Sequence, residues 1–108
     1  MQLDRAIELK TIEQLDALQT QTFPYIIYIS TQDCSVCHAI YPKMMDVVND
    51  SIPVYSIDAS QTPALSGQLL VFSVPTIIMM NDHKEVYRES RFIQFEQFKS
   101  RFEGIMHG

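Results

Sequence analysis

The chain has 108 residues, 46% of them apolar, which suits one domain spanning 1–108 with a core large enough to fold without disulfide staples. Its formal net charge of -5 argues against nucleic acid and anionic membranes as partners, because both require basic patches. The charged opening from Met1 to Arg5 leads into no long apolar run, which predicts neither a signal peptide nor a transmembrane helix.

In chain order, residues Ala6 to Leu9 alternate and predict a short first strand. Thr11 and Gln14 then have capping-box spacing, and Ile12, Leu15 and Leu18 follow at helical intervals, so a helix runs to Gln19 or Thr20. Pro24 lies beyond its end. Residues Tyr25 to Ile29 are dense in β-branched and aromatic side chains and predict a buried strand. Ile40, Met44, Val47 and Val48 mark one face of a second helix, which contains Pro42 and closes at Asn49, Asp50 and Ser51. Pro53 to Asp58 predicts another buried strand. Thr62, capping, and Pro63, at the first helical position, open a third helix whose apolar face is Ala64, Leu65, Leu69 and Leu70. Val74, Pro75 and Thr76 lead into a strand through Met80. Asn81 to Lys84 is a hairpin turn, and Glu85 to Arg88 a partly exposed return strand. Phe95, Phe98, Phe102, Ile105 and Met106 form the apolar stripe of a last helix. The order β-α-β-α-β-α-β-β-α predicts an α/β fold, a central mixed sheet with helices on both faces.

The chemistry concentrates at Cys34-Ser35-Val36-Cys37, which holds both cysteines of the chain. The pair sits where a strand hands over to a helix, so Cys34 meets unpaired helix N–H groups and the positive end of the helix dipole. That environment favours the nucleophilic thiolate, and one helical turn brings Cys37 within reach of a bond made by Cys34. The arrangement suits reversible dithiol–disulfide chemistry. Two cysteines in a globular chain without an evident leader fit a reducing, cytoplasmic compartment.

The element order resembles thioredoxin, from about Ile7 to Ile105. The residues that carry the resemblance are Cys34-Ser35-Val36-Cys37, Pro42 in the following helix, Asp58 at the end of a strand, and Val74-Pro75-Thr76. The resemblance implies a thioredoxin fold and thiol–disulfide exchange, with Cys34 attacking and Cys37 resolving. It also implies a cis proline at Pro75, with Val74, Pro75 and Thr76 forming the groove for substrate backbone. Implied partners are protein disulfides and an electron donor, either a thioredoxin reductase or a low-molecular-weight thiol. No organic cofactor is implied, and a monomer is expected.

Several positions depart from the family. Tyr28 stands where thioredoxin has a buried Asp, Val54 where a buried Lys accompanies it, and Asp33 where a Trp precedes the first cysteine. Ser35 and Val36 replace Gly-Pro, and Arg91 falls near the family's groove glycine. A phenol is a poor substitute for a carboxylate base, so Tyr28 reads as a strand residue filling the vacated volume. Asp33 disfavours a second anion at Cys34, whereas a protonated His38 nearby would favour it.

Other readings compete with redox chemistry. His38 extends the pair to C-x-x-C-H, the pattern of c-type haem attachment, but the βα order does not resemble a small helical cytochrome. Two cysteines and His38 fall short of a closed four-ligand zinc site, since His83 and His107 lack ligand spacing. A metal shared between two subunits is one alternative. A binding module that grips partners around Pro75 without redox cycling is another. The methionines read as core filler, and Lys84, Glu85, Arg88, Glu89 and Arg91 as a solvated edge that resists edge-to-edge pairing.

Overall fold

A computed structural model describes Leu3 and residues 5–107. Met1, Gln2 and Asp4, part of the opening segment on which the expectation of no leader was based, lie outside the described residues. The elements run β1 (Ile7–Glu8), α1 (Ile12–Gln19), β2 (Tyr25–Ser30), α2 (Ser35–Val48), β3 (Val54–Asp58), α3 (Pro63–Gln68), β4 (Thr76–Asn81), β5 (Lys84–Ser90) and α4 (Phe95–His107). The strands form one sheet in the order β1-β3-β2-β4-β5. β3 is parallel to β1 and β2, whereas β4 is antiparallel to β2 and β5. No helix among the described residues is long and apolar enough to cross a membrane.

Alternation along the strands divides the core in two. Tyr25, Ile27, Ile29, Ile57, Ile78 and Met80 pack with Leu15 and Leu18 of α1, Leu65 of α3 and Leu69 just after it. Ile26, Tyr28, Val54, Ile77 and Met79 face the other way, against Met44, Met45 and Val48 of α2 and Phe98 and Phe102 of α4. β2 lies in the centre with every residue buried, which is why its sequence is a continuous apolar run rather than an alternating one. Each fully buried side chain of this size contributes about 1.5–3 kcal/mol.

Local signals account for the ends of the elements. Thr11 Oγ1 accepts the Gln14 N–H at 3.1 Å, and Gln14 Oε1 accepts the N–H groups of Thr11 and Lys10. This capping box starts α1. Asn49 closes α2 in the left-handed region (φ 47°). At the hairpin, Asp82 (φ 52°) and His83 (φ 68°) are both left-handed, as the tight turns that match strand twist require.

Five expectations change. The first strand shortens to Ile7–Glu8, both exposed, because the chain leaves the edge of β3 once the Leu9 N–H has bonded the Ser56 carbonyl. Thr62 does not cap α3 with its side chain; its hydroxyl instead donates back to the Asp58 carbonyl at 3.1 Å. Only part of the anticipated α3 stripe is buried: the helix stops at Gln68, Ala64 is exposed, and Leu70, in the left-handed region, is 68% exposed. Met106 is likewise exposed, one position beyond the packed turn of α4. The charges on β5 are also more than a solvated edge. Arg88 donates to the carbonyls of Leu69 and Leu70 as well as pairing with Glu85, so it pins the loop after α3 to the sheet. Glu89 accepts the Tyr87 hydroxyl and the Gln94 N–H that precedes α4.

Candidate functional site

β2 ends at Ser30, and a short polar loop delivers Cys34 as the N-cap of α2. Cys34 is extended (φ -90°, ψ 100°), and its Sγ accepts the Cys37 N–H at 3.1 Å. The sulfur thus occupies the place usually taken by a capping side-chain oxygen. Cys34 and Cys37 are joined in a disulfide, with Cα atoms 5.2 Å apart. Cys34 is partly exposed and Cys37 fully buried. A nucleophile from outside therefore reaches one sulfur and not the other. In the reduced state, the helix terminus and the Cys37 N–H favour negative charge on Cys34.

Beneath the pair lies Tyr28, fully buried, with its hydroxyl donating to the Cys37 carbonyl at 2.6 Å. Its ring packs 5.4 Å from that of Tyr41. Tyr28 fills the volume anticipated for it and also ties the centre of β2 to the first turn of α2, so the buried cysteine is held by main-chain hydrogen bonding. Burial, with Tyr41 beside it, pushes the Tyr28 phenol well above 10.0. It stays neutral throughout the range in which thiols titrate and can donate a hydrogen bond but not accept a proton.

Tyr25 and Tyr87 are also raised above 10.0, first by desolvation; Tyr55 adds to the shift at Tyr25, and Glu89 at Tyr87. A phenol whose folded pKa exceeds its unfolded value stabilises the fold fully below the unfolded pKa. That contribution is lost as pH rises through the folded pKa. Stability is therefore expected to hold steady from neutrality to about pH 9.5 and to fall steeply above about pH 10. Urea midpoints across this range, read alongside phenolate absorbance, check this. In Tyr28→Phe the alkaline fall is shallower; an unchanged slope removes Tyr28 as a cause.

The Val74–Pro75 peptide bond is cis, as anticipated. The antiparallel register Ile29↔Thr76 sets the start of β4 beside the end of β2, so the Val74–Thr76 segment adjoins the loop that carries Cys34. Thr76 Oγ1 bonds the Ser73 carbonyl at 2.8 Å and lies 2.8 Å from Ser90 Oγ. The Arg91 N–H donates to the Pro75 carbonyl at 2.7 Å. Arg91 does so at φ 71°, a left-handed conformation that costs a side-chain-bearing residue about 1–2 kcal/mol. This explains why a family with this turn favours glycine there. Ser90 has no local sequence signal, because the residue it contacts lies on another strand. Exposed apolar side chains accompany each of these segments: Val36 between the cysteines, Phe72 (86% exposed) before Val74, and Phe92 (82%) after Arg91.

His38 is exposed in the first turns of α2, and its Nε2 lies 2.8 Å from the Gln32 carbonyl. The ring thereby fastens the loop before Cys34 to the helix after it. Among the described residues, no three His, Cys, Asp or Glu side chains assemble into a group that could hold a metal ion. Val54 is buried on the same face as Tyr28, so no cation stands where the family places its lysine.

Comparison with known proteins adds to this geometry. The family model Thioredoxin matches residues 7–101. Thioredoxin-like protein YdfQ of Bacillus subtilis (strain 168) is 35% identical over 81 residues, covering 73% of this chain and 72% of that protein. The structure of thioredoxin 1 from Thermosipho africanus TCF52B aligns with a TM-score of 0.70 and 31% identity, covering 76% of this chain and 93% of its own. Thioredoxin from Trypanosoma brucei brucei aligns over 99% of this chain and 96% of its own, with a TM-score of 0.83 at 14% identity. That last match bears on the fold alone.

Proposed function

Because the chain belongs to the thioredoxin family and carries a C-x-x-C disulfide, we propose that it reduces protein disulfides through a Cys34/Cys37 cycle. The observation that carries this reading is the asymmetry of the pair, with Cys34 partly exposed at the helix N-terminus and Cys37 buried behind it. Cys34 thiolate attacks one sulfur of a substrate disulfide, forming a mixed disulfide and releasing the other substrate sulfur as thiolate. Cys37, losing its proton to solvent, then attacks Cys34 Sγ and expels the second substrate thiolate. Two electrons pass to the substrate, the two product thiolates take up two protons, and the protein is left oxidised.

Val74, Pro75 and Thr76 hold the substrate segment beside Cys34, with main-chain groups of Val74 pairing to it as a short added strand. A thioredoxin reductase or a low-molecular-weight thiol returns the electrons. In this reading the chain acts as a single, cytoplasmic domain and as a monomer.

The test is the equilibrium of the Cys34–Cys37 pair in graded glutathione buffers, read by thiol alkylation. A potential of about -270 mV supports a reductase. A value of about -180 mV or higher reassigns the direction to oxidation or isomerisation. If no dithiol–disulfide equilibrium is found, exchange chemistry is ruled out and a binding module takes its place.

A further inference from the structure

On the α2 face of the sheet, the strands turn from apolar to polar at their C-terminal ends. Alternation places Ser30 of β2 and Ser56 and Asp58 of β3 on the same face as Tyr28 and Val54, with Ser30 directly beside Asp58 and Ser56 beside Tyr28. There they border a cavity of about 370 Å³, lined also by Glu8, Gln32 and Gln61.

Ser30 is 3% exposed and Ser56 6%. Their carbonyls are bonded, by the Ala59 and Leu9 N–H groups respectively, but neither hydroxyl has a hydrogen-bond partner among the described residues. Both hydroxyls open on the one cavity, where they are free to accept from or donate to a polar occupant. The charge around them selects its sign. Glu8 and Asp58 are both acidic, and among the described residues no lysine, arginine or histidine lines the cavity. Ser60, through its N–H and hydroxyl, holds Asp58 Oδ1 at 3.0 and 2.6 Å, which fixes that carboxylate in place. Lys10, outside the cavity, reaches Glu8 at 3.7 Å, an exposed and readily exchanged pair.

We propose that this cavity is a subsite for a basic side chain of the disulfide substrate, so that the protein prefers disulfides with lysine or arginine close to the attacked cysteine. The proposal rests on the exchange reading above and deepens it. Gln32 is two residues from Cys34, so their Cα atoms are within about 7 Å of each other. The four-carbon stem of a lysine near the reacting cysteine crosses that gap, with its ammonium meeting the hydroxyls and carboxylates.

The experiment compares two disulfide peptides that differ by lysine or glutamine two residues from the cysteine. Wild type is expected to reduce the lysine peptide with a kcat/KM roughly tenfold higher, about 1.4 kcal/mol. Net negative charge alone would also attract a basic peptide, so the decisive variants act on the cavity. Ser30→Leu fills it without changing charge and is expected to erase most of the preference while sparing the glutamine peptide. Glu8→Gln, at an exposed position that folding does not depend on, is expected to reduce the preference about threefold. Equal rates on both peptides in wild type overturn the inference, as does a preference that both variants leave intact. If neither peptide is reduced, the exchange reading fails and this inference with it.

Discussion

Replacing Cys34 with serine is expected to abolish disulfide reduction, lowering turnover by roughly 10⁴-fold or more, as loss of a nucleophile does elsewhere. A serine hydroxyl at the α2 N-cap satisfies the Cys37 N–H as well as sulfur does, so folding is retained. What disappears is a thiol able to ionise to a nucleophilic thiolate. Cys37→Ser separates the two steps. Cys34 still attacks, but the mixed disulfide is not resolved and accumulates as a covalent adduct visible by mass spectrometry and released by excess thiol. If the adduct forms on Cys37 in a Cys34→Ser protein instead, the assigned order of the sulfurs is reversed. If Cys34→Ser leaves all function intact, the chain is a binding module.

Tyr28→Asp, which installs the carboxylate that thioredoxin places here, is expected to destabilise the protein by about 3–5 kcal/mol at neutral pH. The substitution removes a buried ring packed on Tyr41 and takes away the donor to the Cys37 carbonyl. It also puts a charge beside Val54, where the chain has no lysine to pair with it. Burial raises the pKa of the new carboxyl above its unfolded value, so the protonated form is the one the fold tolerates. The penalty is therefore smallest below about pH 4 and grows as pH rises toward 7. Tyr28→Phe keeps the ring and loses only the hydrogen bond, with an expected cost of about 1 kcal/mol. Urea denaturation of the two variants at acidic and neutral pH distinguishes them. A Tyr28→Asp protein as stable as wild type at neutral pH shows that the site supplies a counter-charge or solvent to the carboxylate.

The Tyr28 hydroxyl ties the buried cysteine in place through its main-chain carbonyl. In the proposed cycle the proton leaving Cys37 passes to solvent rather than to a side-chain base, so resolution is expected to be slow at neutral pH and to accelerate as hydroxide increases.

The sequence by itself determined the elements and their order, because those signals act over short stretches of chain. The Thr11–Gln14 capping box, the apolar run of β2, the Asn49 stop of α2 and the Asn81–Lys84 hairpin each depend on residues within about one turn of each other. The disulfide lay within that range too, three residues apart and at a junction of elements. The cis bond at Pro75 was expected from family resemblance, and no local signal demands it.

Tertiary structure decided whatever depended on a partner distant in sequence. Leu70 and Met106 fit a helical stripe, but α3 ends before one and the other stays 40% exposed on α4. Arg88 looked like an edge charge until the Leu69 and Leu70 carbonyls, 19 and 18 residues away, came within reach of its guanidinium. The Tyr28 hydroxyl finds the Cys37 carbonyl across the layer between sheet and helix. Ser30 and Ser56, unremarkable in sequence, become two unpaired hydroxyls facing one cavity only because parallel pairing sets β2 beside β3. Periodicity encodes which face a residue takes, whereas the group it meets there is set by how the layers pack.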